Sequence, residues 1–209
     1  MRNDLQINQE SKNRDFFNFW AKYYDKEKIF SKLLFNIVKK TVNSVKIKNG
    51  SKILDIGCGT GNLLFLLEKQ NKELKLYGID VSEKMLKIAK KKVKGAVLMN
   101  ISASYIDKKF TREFFDYIFI VDVFHHIPEK EKLMKVFYKI LKKNGKLIIT
   151  DFDFGIILNK IFRFIEPGNT GIYTKKQMRA LFTSSRFSFK KQKKFGLFSV
   201  MTVGDKIKY

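Results

Sequence analysis

The stretch ILDIGCGTGNLL, residues 53–64, holds the residue types and spacing that point most directly to chemistry. An apolar run ends in Asp55, then Gly57, Gly59 and Gly61 follow at alternate positions before an apolar segment resumes. Three glycines between a buried strand and a helix mark a backbone that a ligand approaches closely. Downstream, the apolar run LKLYGID closes on Asp80, at the offset where an acid meets a ribose. A carboxylate there can accept two hydroxyl hydrogen bonds and so suits a ribose diol. Two nucleotide ligands fit this far. A dinucleotide loop wants G-x-G-x-x-G and a pyrophosphate. This loop is G-C-G-T-G, one residue tighter, and it begins with an acid. A carboxylate beside a phosphate position repels a pyrophosphate and favours a cationic ligand such as an amine or sulfonium.

The elements that must position these acids alternate along the chain. SKILDIG reads as a buried strand, GNLLFLLEKQ as a helix starting near Thr60, and residues 74–80 as a second strand. Ser82 is placed to cap the helix EKMLKIAKKK. Strands follow at 96–100 and 114–124, the latter apolar enough to be central. Pro128 and Glu129 open a helix through Leu141, and KNGKLIITDF supplies a turn and a fifth strand. Thr174 caps a short helix, and RFSFKKQKK and FGLFSVMTVGDK end the chain as an antiparallel pair. The fold class expected is α/β: a Rossmann-like, doubly wound sheet, mostly parallel with a C-terminal antiparallel strand, and helices on both faces. Residues 16–40 have apolar residues at helical spacing, whereas 1–14 are polar and read as loose. No linker divides the chain. The expectation is one domain over 1–209, with a helical cap (1–45), a cofactor-binding core (50–152), and a substrate cap with final strands (153–209).

Composition narrows the classes. Hydrophobic residues make up 44% of 209, enough for a substantial core. No apolar run reaches the ~20 residues of a membrane span. The polar start lacks the apolar core of a signal peptide, and the single cysteine, Cys58, fits a reducing compartment; both place the protein in the cytoplasm. The net charge of +23 is nearly all lysine, with arginine only at 2, 14, 112, 163, 179 and 186. A phosphate-reading face more often uses arginine forks. No specific nucleic-acid partner is therefore expected, only weak non-specific attraction to polyanions. The run FDFGIILNKIFRFI reads as the cover of a substrate pocket, with a membrane-surface helix as the alternative.

With these pieces in order, the chain resembles the class I S-adenosylmethionine-dependent methyltransferases. LDIGCGTG and YGIDVS are similar to the family's first motif and its following acidic motif. LMNIS, FDYIFIVDVFHHI and LKKNGKLIITDF resemble its later motifs, and FWAKYYD resembles a segment of small-molecule members, including quinone-biosynthesis enzymes. The strong likeness covers residues 53–152. It implies S-adenosylmethionine as cofactor, with contacts from Tyr24, Asp55, Gly57, Gly59, Gly61, Asp80, Val81, Asn100, Ile101 and Asp122. Asn100 stands where the family has an aspartate for the adenine amino group, and Asn144 where it has glycine or proline. Ile101 is expected against the adenine ring, and Met85 is a weaker candidate for its edge.

The resemblance implies methyl transfer to a small organic acceptor by in-line displacement, and the phenylalanines after residue 151 motivate a lipophilic one. His125 and His126, the only histidines, are the candidate catalytic residues, and neighbouring side chains should put at most one of them before the substrate. No metal-ligand spacing is visible, so a metal-independent reaction is expected. Cys58 reads as a packing residue. The alternatives are RNA or protein as acceptor, or a non-catalytic cofactor-binding subunit; the chain is expected as monomer or homodimer, with peripheral membrane contact open.

Overall fold

Alternating apolar side chains on the central strands create a sheet that must be covered on both faces. In the computed structural model, which describes residues 4–21, 28–165 and 168–207, this is what forms. Strand β4 (Phe115–Val121) sends Tyr117 and Phe119 to one face and Ile118 and Ile120 to the other. On the first face they meet helix α3 (Asn62–Gln70) through Leu63, Leu64 and Leu67, and α4 (Glu83–Lys92) through Leu86. On the second they meet α6 (Lys130–Ile140) through Leu133, Met134 and Phe137, and α8 (Lys175–Ser184) through Met178 and Phe182.

The strands are β1 (Lys52–Ile56), β2 (Lys75–Asp80), β3 (Ala96–Asn100), β4, β5 (Leu141–Phe152), β6 (Phe187–Phe195) and β7 (Ser199–Lys206). Their order is β3-β2-β1-β4-β5-β7-β6. All pairs are parallel except those of β7, which runs antiparallel to both neighbours. The doubly wound sheet with its C-terminal antiparallel strand is thus as expected. Strand order reverses between β1 and β4, the switch point at whose carboxyl side such folds open a crevice.

Several local expectations hold for stated reasons. Ser82 Oγ accepts from Met85 N–H at 3.1 Å, and Thr174 and Gln177 form a capping box. Asn144 takes φ 61° in a bulge that loops 142–145 out of the β4–β5 ladder. Others are corrected. The polar start is not loose from residue 4: α1 runs Asp4–Trp20, held where Asn18 Oδ1 accepts from Ser82 Oγ at 2.8 Å. A second helix, α2, spans Lys28–Asn43. Between β3 and β4 lies a short helix α5 (Ile106–Lys109), which periodicity did not flag because it has one turn. The apolar run after β5 is helix α7 (Ile156–Ile165). No helix among the described residues is long and apolar enough to cross a membrane.

Phe119 is fully buried in the middle of the sheet. Phe119→Ala is expected to cost about 3–5 kcal/mol. Urea unfolding should show a lower midpoint with an unchanged slope.

Candidate functional site

Each parallel strand ends at the same edge of the sheet, and there a cavity of about 480 Å³ opens. That size lies in the range of small-molecule sites. Asp55 from β1, Asp80 from β2 and Asp122 after β4 all reach its wall. The glycine loop between β1 and α3 passes beneath it.

The loop is shaped by hydrogen bonds made within the protein. Gly57 and Cys58 N–H both donate to the Ile79 carbonyl, at 2.8 and 3.0 Å, and Gly61 N–H donates to the Cys58 carbonyl at 2.8 Å. Gly59 N–H donates to Asp80 Oδ2 at 2.9 Å, while Ser82 N–H donates to Asp80 Oδ1 at 2.8 Å. These loop amides are therefore engaged within the protein and do not form a phosphate cradle. Gly57 has φ 68°, and a Cβ there would lie 2.5 Å from Val123 Cγ1, so the close approach is to β4's exit as much as to a ligand. Gly61 does not line the cavity. It leads into α3 at φ 81°, and a Cβ would crowd Ala89 of α4 and Val93 just after that helix, both at 3.1 Å.

The acids crowd one another. Burial, then the charge of Asp80, pushes the Asp55 carboxyl up to about 8. Burial pushes Asp80 up to about 6 against the backbone hydrogen bonds that favour its ionised form. A cation placed between them would relieve both effects, so the polar end of the cavity suits a positively charged group. The wall is otherwise largely apolar and includes Met85, Ile101, Ala103, Phe16, Phe17, Trp20 and Leu34.

Both histidines line the cavity. They sit in a single 3₁₀ turn, Phe124–His126, with rings 4.1 Å apart. His125 Nδ1 bonds Asp151 Oδ1 at 2.6 Å, and His125 N–H donates to Asp151 Oδ2 at 2.8 Å. A carboxyl oxygen on Nδ1 leaves Nε2 as the basic ring nitrogen. Asp122, His125 and Asp151 also bring one ligand atom each within 4.8 Å of one another. Spacing along the chain shows no such grouping; it exists because β4 and β5 are neighbours. His126 meets the Phe17 ring edge-on at 5.0 Å, and its carbonyl accepts from Asn13 Nδ2 at 3.0 Å.

The other expected residues divide. Val81, Ile101, Asp122 and Met85 line the cavity. Asn100 does not: it is exposed, and its Nδ2 donates to the Asp80 carbonyl at 2.9 Å. Tyr24 lies outside the described residues. Cys58 is buried as a packing residue yet also touches the wall. The expected cover, FDFGIILNKIFRFI, contributes Phe152 to the wall, while Ile156 and Ile157 of α7 face solvent. Sequence reasoning missed Asn13, Ser102, Ser104 and Asp151. Only Asp151 carried a signal: like Asp55 and Asp80, it is an acid at the carboxyl end of an apolar run.

A family model described as a methyltransferase domain matches residues 47–195. Among curated relatives, the demethylmenaquinone methyltransferase of Listeria welshimeri is 28% identical over 139 residues, covering 62% of this chain and 59% of that protein. The chain thus spans about three fifths of the length of that relative. Phosphoethanolamine N-methyltransferase 3 of Arabidopsis thaliana is 34% identical over 136 residues, covering 58% of this chain and 27% of that one. Two solved structures share the fold. The methyltransferase bound to the Haloferax volcanii Trm112 activator has a TM-score of 0.82 at 15% identity, covering 94% of this chain and 98% of that one. The SAM-dependent methyltransferase from Aquifex aeolicus has 0.73 at 20%, covering 91% and 98%.

The raised carboxyl at Asp55 has a definite sign in stability. The unfolded chain ionises it near the ordinary aspartate value of about 3.9, the folded ligand-free protein only near 8. Its stabilising share is present below the lower value and is lost as pH rises to the upper one. Thermal unfolding at pH 5, 7 and 9 should show wild type losing stability relative to Asp55→Asn as pH rises.

Proposed function

The chain belongs to the methyltransferase-domain family, and on that footing we propose that it transfers the methyl group of S-adenosylmethionine to a small, lipophilic organic acceptor. The observation that carries this reading is the meeting of Asp55 and Asp80 on one apolar-walled cavity whose loop amides are already bonded within the protein. Among the described lining residues there is no lysine or arginine and these amides are engaged, which disfavours a pyrophosphate, whereas a nucleoside with a cationic tail finds its complement. The residues present fit the cofactor on that ground. Asp80 keeps lone pairs for the ribose diol beyond its two backbone bonds. Asp55 faces the cationic end, and Val81, Ile101 and Met85 give the adenine an apolar bed.

When bound, the cofactor supplies a sulfonium methyl that is already activated for displacement. The protein's own work is then alignment and exclusion of water. Phe16, Phe17 and Trp20 of α1 wall the cavity against solvent, and Asn13 ties that helix to the histidine turn. Where the acceptor must lose a proton, His125 Nε2 takes it and Asp151 holds the ring in the tautomer that can. No residue in this account needs a metal ion. The apolar wall supports a lipophilic acceptor, as does the demethylmenaquinone methyltransferase among the relatives. The lone thiol of Cys58 supports a cytoplasmic protein.

Purified protein, donor with a labelled methyl group, and an extract of the source organism test the reading directly. Label in the lipid or small-molecule fraction is the expected result. Label in RNA or protein, or none anywhere, overturns it. In calorimetry, Asp80→Ala should weaken donor binding by at least about tenfold, or about 1.4 kcal/mol. An unchanged affinity with an intact circular dichroism spectrum would remove Asp80 from the site.

A further inference from the structure

Beside the cavity lies an apolar surface that methyl transfer by itself does not use. Helix α7 presents Ile156, Ile157, Leu158 and Ile161 to solvent, with Ile157 76% exposed. The tip of the β6–β7 hairpin adds Leu197, 72% exposed, and Phe198. The two parts are joined: Asp153 N–H donates to the Phe198 carbonyl at 2.6 Å, and the Phe154 and Phe198 rings lie 5.1 Å apart. Side chains of this size grouped on one surface mark an interaction site.

The patch is connected to the cavity. Phe154 stacks on Phe152 at 5.3 Å, and Phe152 lies 5.8 Å from His125. Phe152 and His125 are both on the cavity wall. A row of rings therefore runs from the exposed tip to the proposed reaction centre.

Charge selects the occupant. Helix α7 carries Lys160 and the approach to the hairpin tip carries Lys193 and Lys194, with no acid within 156–165 or 193–198. Of the acids that flank α7 in the sequence, Asp153 is engaged by Gly155 N–H at 3.0 Å and Lys175 N–H at 2.9 Å, and Glu166 follows Ile165. Protein interface cores are depleted in lysine, whereas lysines bordering an exposed apolar helix complement anionic headgroups. We propose that α7 and the β6–β7 tip dock on an anionic lipid bilayer, so that the ring row opens toward the lipid phase. This rests on the proposed function only in explaining why a lipophilic acceptor would benefit; the docking itself stands on the surface.

The test uses the full chain and sedimentation with vesicles, either neutral phosphatidylcholine or the same lipid with about 30% phosphatidylglycerol, at about 0.1 M salt. Wild type should favour the anionic vesicles by at least about tenfold, and Ile157→Glu combined with Leu197→Glu should reduce that affinity by at least about tenfold. Both positions are exposed, and equal melting temperatures and donor affinities would show the variant is folded. Wild type remaining in the supernatant overturns the proposal. So does a folded variant that binds as well as wild type, because diffuse lysine attraction would then suffice. No donor is present in the assay, so the two readings separate. Docking without methyl transfer in the labelling experiment would sink the function and keep the surface; transfer without docking would do the reverse.

Discussion

Two backbone N–H groups, Gly59 of the loop and Ser82 at the head of α4, converge on the carboxylate of Asp80. The rest of the site depends on that convergence. It fastens the end of β2 to the loop that follows β1, and it fixes where α3 and α4 begin. The same side chain must then serve a ligand with the lone pairs that remain. Because Asp55 sits on the adjacent strand, one residue from the Ile56–Ile79 pair, the arrangement also concentrates negative charge. Burial first, then the charge of Asp80, raises the Asp55 carboxyl, whereas burial alone raises Asp80. A cationic group complements these two buried carboxyls.

The parallel sheet makes this concentration unavoidable. β1, β2, β4 and β5 all deliver an acid at their carboxyl ends: Asp55, Asp80, Asp122 and Asp151. Each takes a different task from its surroundings. Asp80 holds the loop, Asp151 holds a histidine, and Asp122 turns the chain at φ 58° with its N–H on the Thr150 carbonyl. The outer surface carries the opposite sign. At about 0.1 M salt, charges more than about 10 Å apart are largely screened, so a cationic ligand inside the cavity responds to the acids there and not to the distant lysines.

The sheet was legible because its signals are local: apolar runs, capping serine and threonine, and an asparagine able to take a left-handed turn. The glycines were legible as a group but not singly. Gly61 serves the packing of α3 on α4, a contact between residues nearly thirty positions apart that no loop pattern reveals. The roles of Asn13 and Asp151 were hidden for the same reason. Asn13 lies in a polar stretch that looks unstructured until α1 meets the histidine turn, and Asp151 finds His125 only because β4 and β5 lie side by side. The run 152–165 carries two readings in the sequence, pocket cover and surface helix, and composition alone does not divide them: Phe152 lines the cavity while Ile156 and Ile157 face solvent.

Helix α1 has a practical corollary for anyone handling the protein. Its residues 13, 16, 17 and 20 form part of the cavity wall, so an affinity handle fused at the amino end is attached a few turns from the roof of the site. The other end differs. β7 runs antiparallel to β5 and pairs Asp205 with Lys146, at the opposite edge of the sheet from the acids. A handle or surface tether placed there leaves the roof untouched, and the two fusions together would separate effects of the roof from effects of the tag.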